Sequence, residues 1–164
     1  MSKKVALYGV LVALAFIFSY IEALLPINVS VPGIKVGLAN IVIVMALYLL
    51  EFKDAMMISV IRIVLVGLTF GNMSTMIYSI AGGLLSLAIM TIAKKSGTFS
   101  IIGVSVLGAT FHNIGQILVA IWMLESKVLM NYLPILLISG VVAGVLIGIM
   151  GGEVTKRLKG IRYL

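Results

Sequence analysis

One arginine, Arg62, interrupts the run Ala55–Leu68, which is otherwise apolar apart from Ser59. With a hydrophobic fraction of 62% and a charged fraction of 10%, the chain has the composition of a membrane protein, so this guanidinium is expected at bilayer depth. A charge there costs at least roughly 2.5–3.5 kcal/mol, so it should face protein or water and serve a function. Helical spacing sets Ser59, Arg62, Val66 and Thr69 in one stripe. In the run Ile101–Leu124, His112 and Gln116 share a face, Asn113 stands beside them, and the small residues Ser105, Gly108 and Ala109 lie below. Counting about 1.5 Å per residue from the cytoplasmic helix ends brings Arg62 and His112 to a similar mid-depth. Ser19, Glu22, Lys35, Asn40 and Asn72 fall toward the outer side. A guanidinium fork with a histidine and side-chain amides suits a small anionic or hydrogen-bonding ligand. Each group also has a structural reading: Glu22 or Glu125 can mark the membrane surface, His112 can be a packing residue, and backbone carbonyls can hold Arg62.

Other chemistry is poorly supplied. Asp54 is the only aspartate, so the paired aspartates that would hold magnesium and a diphosphate are missing. One histidine and no cysteine leave no ordinary zinc site, no disulfide and no thiol catalysis. There is no Gly-rich phosphate loop ending in Lys-Ser or Lys-Thr. The chain is therefore expected to be no enzyme and to need no cofactor or metal.

The elements that must position these groups are six hydrophobic runs: Val5–Leu25, Val36–Leu50, Ala55–Leu68, Met76–Ala93, Ile101–Leu124 and Tyr132–Met150. Together they predict an all-α polytopic membrane protein, a compact bundle of six transmembrane helices in a single domain covering residues 1–164. The second and third runs are short against the ~20 residues of a straight span. The first exceeds a signal-peptide core and has no cleavage site, so it reads as a retained helix. Of the 12 basic residues, nine (Lys3, Lys4, Lys53, Lys94, Lys95, Lys156, Arg157, Lys159 and Arg162) fall on the side of the termini, two (Lys35 and Lys127) fall opposite, and Arg62 lies between. That asymmetry predicts both termini in the cytoplasm and the cytoplasmic membrane as location. It also accounts for the net charge of +7 without nucleic acid, while the basic tail can meet anionic lipid headgroups.

The connection Pro26–Val36 contains Pro26, Pro32 and Gly33, and its alternating Ile27, Val29 and Val31 suit either a short extended lid or an ordinary solvated loop. Gly140, Gly144, Gly148 and Gly152 recur every four residues on the last helix, and Gly9 and Ala13 form a shorter version on the first. Such small residues admit a second backbone, either within the bundle or from a partner subunit.

The string Pro32-Gly-Ile-Lys-Val-Gly-Leu-Ala-Asn40, after a first helix ending Tyr20-Ile-Glu-Ala-Leu-Leu-Pro26, resembles the Gx transporter family, also named heptaprenyl diphosphate synthase component I. That family is similar to the substrate-binding S components of energy-coupling-factor transporters, which have six helices and cytoplasmic termini. The resemblance implies a small-solute-binding membrane subunit, with Glu22, Lys35, Asn40, Arg62 and His112 as ligand-site candidates. Asn72, Asn113 and Gln116 join them from the depth argument. It also implies a membrane coupling subunit with separate ATPases, met through Gly9 and Ala13, where the vitamin-binding subunits place two alanines; the Gly140, Gly144 and Gly148 face is a second partner candidate. The family's other name implies instead a noncatalytic membrane partner of a prenyl diphosphate synthase. A membrane anchor for a redox assembly is a third reading, for which no cofactor ligands are seen.

Overall fold

In the computed structural model, which describes residues 2–24 and 37–161, the apolar runs form six α-helices: α1 (Ser2–Leu24), α2 (Leu38–Leu49), α3 (Phe52–Thr69), α4 (Met73–Ser96), α5 (Ile101–Leu124) and α6 (Leu133–Ile161). A 3₁₀ turn, Lys127–Tyr132, leads into α6, and no strand occurs among the described residues. The helices α1, α4, α5 and α6 are long and apolar enough to cross a membrane. Neither α2, at 12 residues or about 18 Å, nor α3, which carries Lys53, Asp54 and Arg62, meets that measure. Lys35 and the candidate lid Pro26–Val36 lie outside the described residues.

One end of the bundle collects the basic residues. Lys4 Nζ lies 3.4 Å from Asp54 Oδ2, joining the first turns of α1 and α3. A hydrogen bond from Tyr8, then the Glu51 amide and the Lys4 charge, hold the Asp54 carboxyl below the usual carboxylate range against a smaller opposing effect of burial. The Lys94 ammonium donates to the Leu47 carbonyl at 2.6 Å, satisfying an acceptor in the last turn of α2. Lys94 and Lys159 also stand 5.0 and 5.9 Å from the centroid of the Tyr48 ring. The N-termini of α1 and α3 thus share this basic end with the C-termini of α2, α4 and α6.

The packed core occupies the half nearest that end. Every residue from Ile41 to Leu47 of α2 is buried, as expected of a helix that is apolar on all sides, and Leu11, Ala15, Ala55, Ile58, Leu87, Met90 and Val104 close around it. Large apolar side chains such as Val10, Ile17, Ile92, Leu118, Trp122, Ile138 and Leu146 are instead exposed, an outward apolar coat suited to lipid.

The structure refines two expectations. The last apolar run closes at Met150, while the helix that carries it, expected to include Gly152, continues to Ile161. The helix goes on past the apolar stretch with Gly151 beside α2, Gly152 beside Ile101, and Thr155 buried. The glycine face is also taken up inside the chain. A Cβ on Gly144 would lie 2.6 Å from the Val106 Cα, one on Gly148 2.7 Å from the Ile102 Cα, and one on Gly140 3.2 Å from the Thr110 Cα. The close approach these glycines allow, weighed above as packing within the bundle or as a partner surface, is used by α5 of the same chain. Gly9 and Ala13 remain on the surface, in a shallow groove with Val12 and Phe16 of α1 and Ile61 and Leu65 of α3.

Candidate functional site

The short α2 leaves a space. Its leading residue, Gly37, lies beside Ile147, which is midway along α6, so α2 fills only the basic half of the bundle. Above it, in the far half, is a cavity of about 720 Å³ to which all six helices contribute. That volume is within the usual range for a small-molecule site. Glu22, Asn40, Arg62, Asn72, His112, Asn113 and Gln116 all line it, so seven of the eight residues singled out as ligand candidates meet around one space. The eighth, Lys35, is outside the described residues.

Arg62 is the buried charge of this cavity. Only 9% of its surface is exposed, and its buried Nε has no hydrogen-bond partner among the described residues. The acidic group whose charge reaches it is Glu22. Glu22 is itself positioned by the backbone, since its Oε1 accepts the Gly37 N–H at 2.5 Å. Gly37 takes φ 76°, the left-handed region that glycine enters without cost, and this turn aims its amide back at α1. The Gly37 carbonyl accepts the Asn40 N–H at 2.8 Å as α2 begins.

His112 and Gln116 reach the cavity where α4 and α5 approach most closely. A Cβ on Gly82 would lie 2.6 Å from the His112 carbonyl and 2.7 Å from Gln116 Cγ, and one on Gly115 would lie 2.9 Å from the Gly82 Cα. Two glycines thus set the seating of α5, and with it the height of the imidazole.

The two other asparagines do structural work as they line the cavity. Asn72 caps α4, its Oδ1 accepting the Thr75 N–H at 2.8 Å while its own N–H donates to Thr75 Oγ1 at 3.0 Å. Asn113 Nδ2 donates to the Leu136 carbonyl at 2.7 Å and ties α5 to α6. Ser79, Thr75 and Ser139 also line the cavity and were not singled out from the sequence. The available signal was the spacing of Asn72, Thr75 and Ser79, which places polar groups on one face at the start of α4.

Buried donors and amides around a partly apolar space can bind and orient an anionic or hydrogen-bonding solute. The sequence profile of the family described as heptaprenyl diphosphate synthase component I matches residues 11–154. No curated protein and no solved structure matches the chain.

Proposed function

The chain belongs to the heptaprenyl diphosphate synthase component I family, and from that membership and the far-half cavity we propose a small-solute-binding membrane subunit of a transporter, similar to the S components of energy-coupling-factor systems. The observation that carries this reading is Arg62: a buried guanidinium at the wall of a cavity, its Nε without a hydrogen-bond partner among the described residues, is expensive unless something binds there. Glu22, Asn40, His112 and Gln116, with Asn72 and Asn113 at the edges, are the other binding residues in this proposal. All six helices lie in the membrane as one domain, α2 and α3 being sheltered by their neighbours. The basic end, with both termini, faces the cytoplasm across the cytoplasmic membrane. The chain performs no catalysis itself, and a coupling subunit with ATPases meets the exposed Gly9 and Ala13 surface.

The family description favours a second reading, a noncatalytic membrane partner of a prenyl diphosphate synthase. Affinity purification in mild detergent from membranes of the native host separates the two. Recovery of ATPases with a membrane coupling protein, lost on Gly9→Trp, supports the transporter subunit. Recovery of a soluble prenyl synthase in their place overturns it in favour of the second reading.

A further inference from the structure

Among the described residues the cavity is open on one side. α6 packs on α5 and α2, and α1 packs on α2 and α3, but α1 and α6 make at most slight contact with each other. On α1, Ser19, Glu22 and Ala23 border the gap. Across it stand Ile135, Ile138, Val142 and Leu146 of α6, which line the same cavity yet are 49%, 68%, 57% and 53% exposed. Spaced by three and four residues, they form one helical stripe about 16 Å long. One wall of the cavity is therefore continuous with the surface that hydrocarbon would cover. Arg62 stands away from that stripe, on α3, which like α1 makes at most slight contact with α6, and its side chain is nine-tenths buried.

Building on the proposed solute site, we infer that its ligand is a single-chain anionic amphiphile, entering sideways between α1 and α6. The head takes the Arg62 side and the apolar chain lies along the Ile135–Leu146 stripe. A fully soluble solute would need a polar or closed wall at that gap, whereas an apolar chain gains by covering the stripe. The head must suit Arg62 and Glu22 together. A phosphate monoester monoanion does so, because its oxygens accept from the guanidinium while its remaining O–H donates to the carboxylate. The shared chemistry is a phosphate monoester, and the gap distinguishes one carried on a lipid chain from one free in water.

The test uses the full chain in nanodiscs of zwitterionic phosphatidylcholine, with dodecyl phosphate and butyl phosphate as probes and binding followed by calorimetry. Dodecyl phosphate should bind saturably and at least roughly tenfold more tightly than butyl phosphate, a gain that burial of about two extra methylenes already supplies. Arg62→Met should weaken both probes. Ile138→Ala with Val142→Ala, which trims the stripe at exposed positions and keeps it apolar, should weaken dodecyl phosphate alone. Equal, Arg62-dependent binding of both probes would overturn the amphiphile and leave the solute site standing. Absence of saturable dodecyl phosphate binding, with butyl phosphate still bound through Arg62, has the same consequence. Binding of dodecyl phosphate that is unaffected by Arg62→Met, or failure of both probes to bind, overturns the inference; the first of these outcomes also removes Arg62 from the site.

Discussion

Replacing Arg62 with methionine should separate a binding role from a structural one. The side chain is 9% exposed and its Nε has no hydrogen-bond partner among the described residues, which leaves a desolvated donor with no bond in return from them. A buried unsatisfied polar group costs about 1–3 kcal/mol, and an apolar side chain of similar length at the same place removes that cost. Loss of attraction to Glu22 opposes that gain, but Glu22 keeps the Gly37 amide at 2.5 Å and is only partly buried, so its charge is not abandoned. The net expectation for Arg62→Met is a gain of about 1–2 kcal/mol, or roughly 2–8 °C in Tm for a chain of this size. The assay is thermal unfolding in detergent after exhaustive exchange to strip bound solute, because a ligand held by the wild type alone would raise its apparent stability. A loss of about 3–5 kcal/mol, the usual result of breaking a well-paired buried charge, would refute the reasoning and make Arg62 a structural strut.

Other outcomes follow from the packing. Gly144→Ala should lower stability by about 1–2 kcal/mol, since a Cβ 2.6 Å from the Val106 backbone forces α5 and α6 apart by more than helix propensity returns; Gly152→Ala, with its nearest atom at 3.5 Å, should be neutral or slightly stabilising in the same melts. Lys94→Met should cost about 1–2 kcal/mol by removing the charged donor to the Leu47 carbonyl, and faster amide exchange at the C-terminal turn of α2 would locate the loss. Asp54, whose folded carboxyl titrates below its ordinary value, contributes stability that is complete above the unfolded pKa of about 3.9 and is lost as pH falls through the lower folded value. Asp54→Asn should therefore shallow the acid limb of a stability–pH curve and leave its slope near neutrality unchanged.

Much of the site was legible because depth in a membrane helix can be counted. Alternating helix direction and a fixed rise per residue put Glu22, Asn40, Arg62 and His112 at compatible heights, and they line one cavity. What a hydropathy profile could not separate was apolar surface facing protein from apolar surface facing lipid, since both favour the same side chains. The enclosed α2 and the exposed stripe of α6 therefore looked alike in sequence. The Gly140–Gly152 face had the same ambiguity, because smallness admits any backbone and only the fold assigns it to α5. Asn72 and Asn113 were recognised as polar at the right depth, but their cap and inter-helix bonds depend on neighbours that spacing does not reveal. The inner end of α6 was legible only as far as Gly152, because hydropathy marks the end of the apolar run at Met150, whereas packing at Gly151, Gly152 and Thr155 accompanies the helix further.

The most direct measurement of the central claim is native mass spectrometry of the full chain released from its own membranes, comparing wild type with Arg62→Ala and His112→Ala at matched folded yield. The account predicts a discrete small-molecule adduct on the wild type, its occupancy reduced at least roughly tenfold in the Arg62 variant and clearly reduced in the His112 variant, as expected where a few placed polar groups fix a ligand in a largely apolar pocket. Equal occupancy in all three proteins, or folded yields that collapse in both variants while the remaining folded protein keeps its adduct, would contradict it.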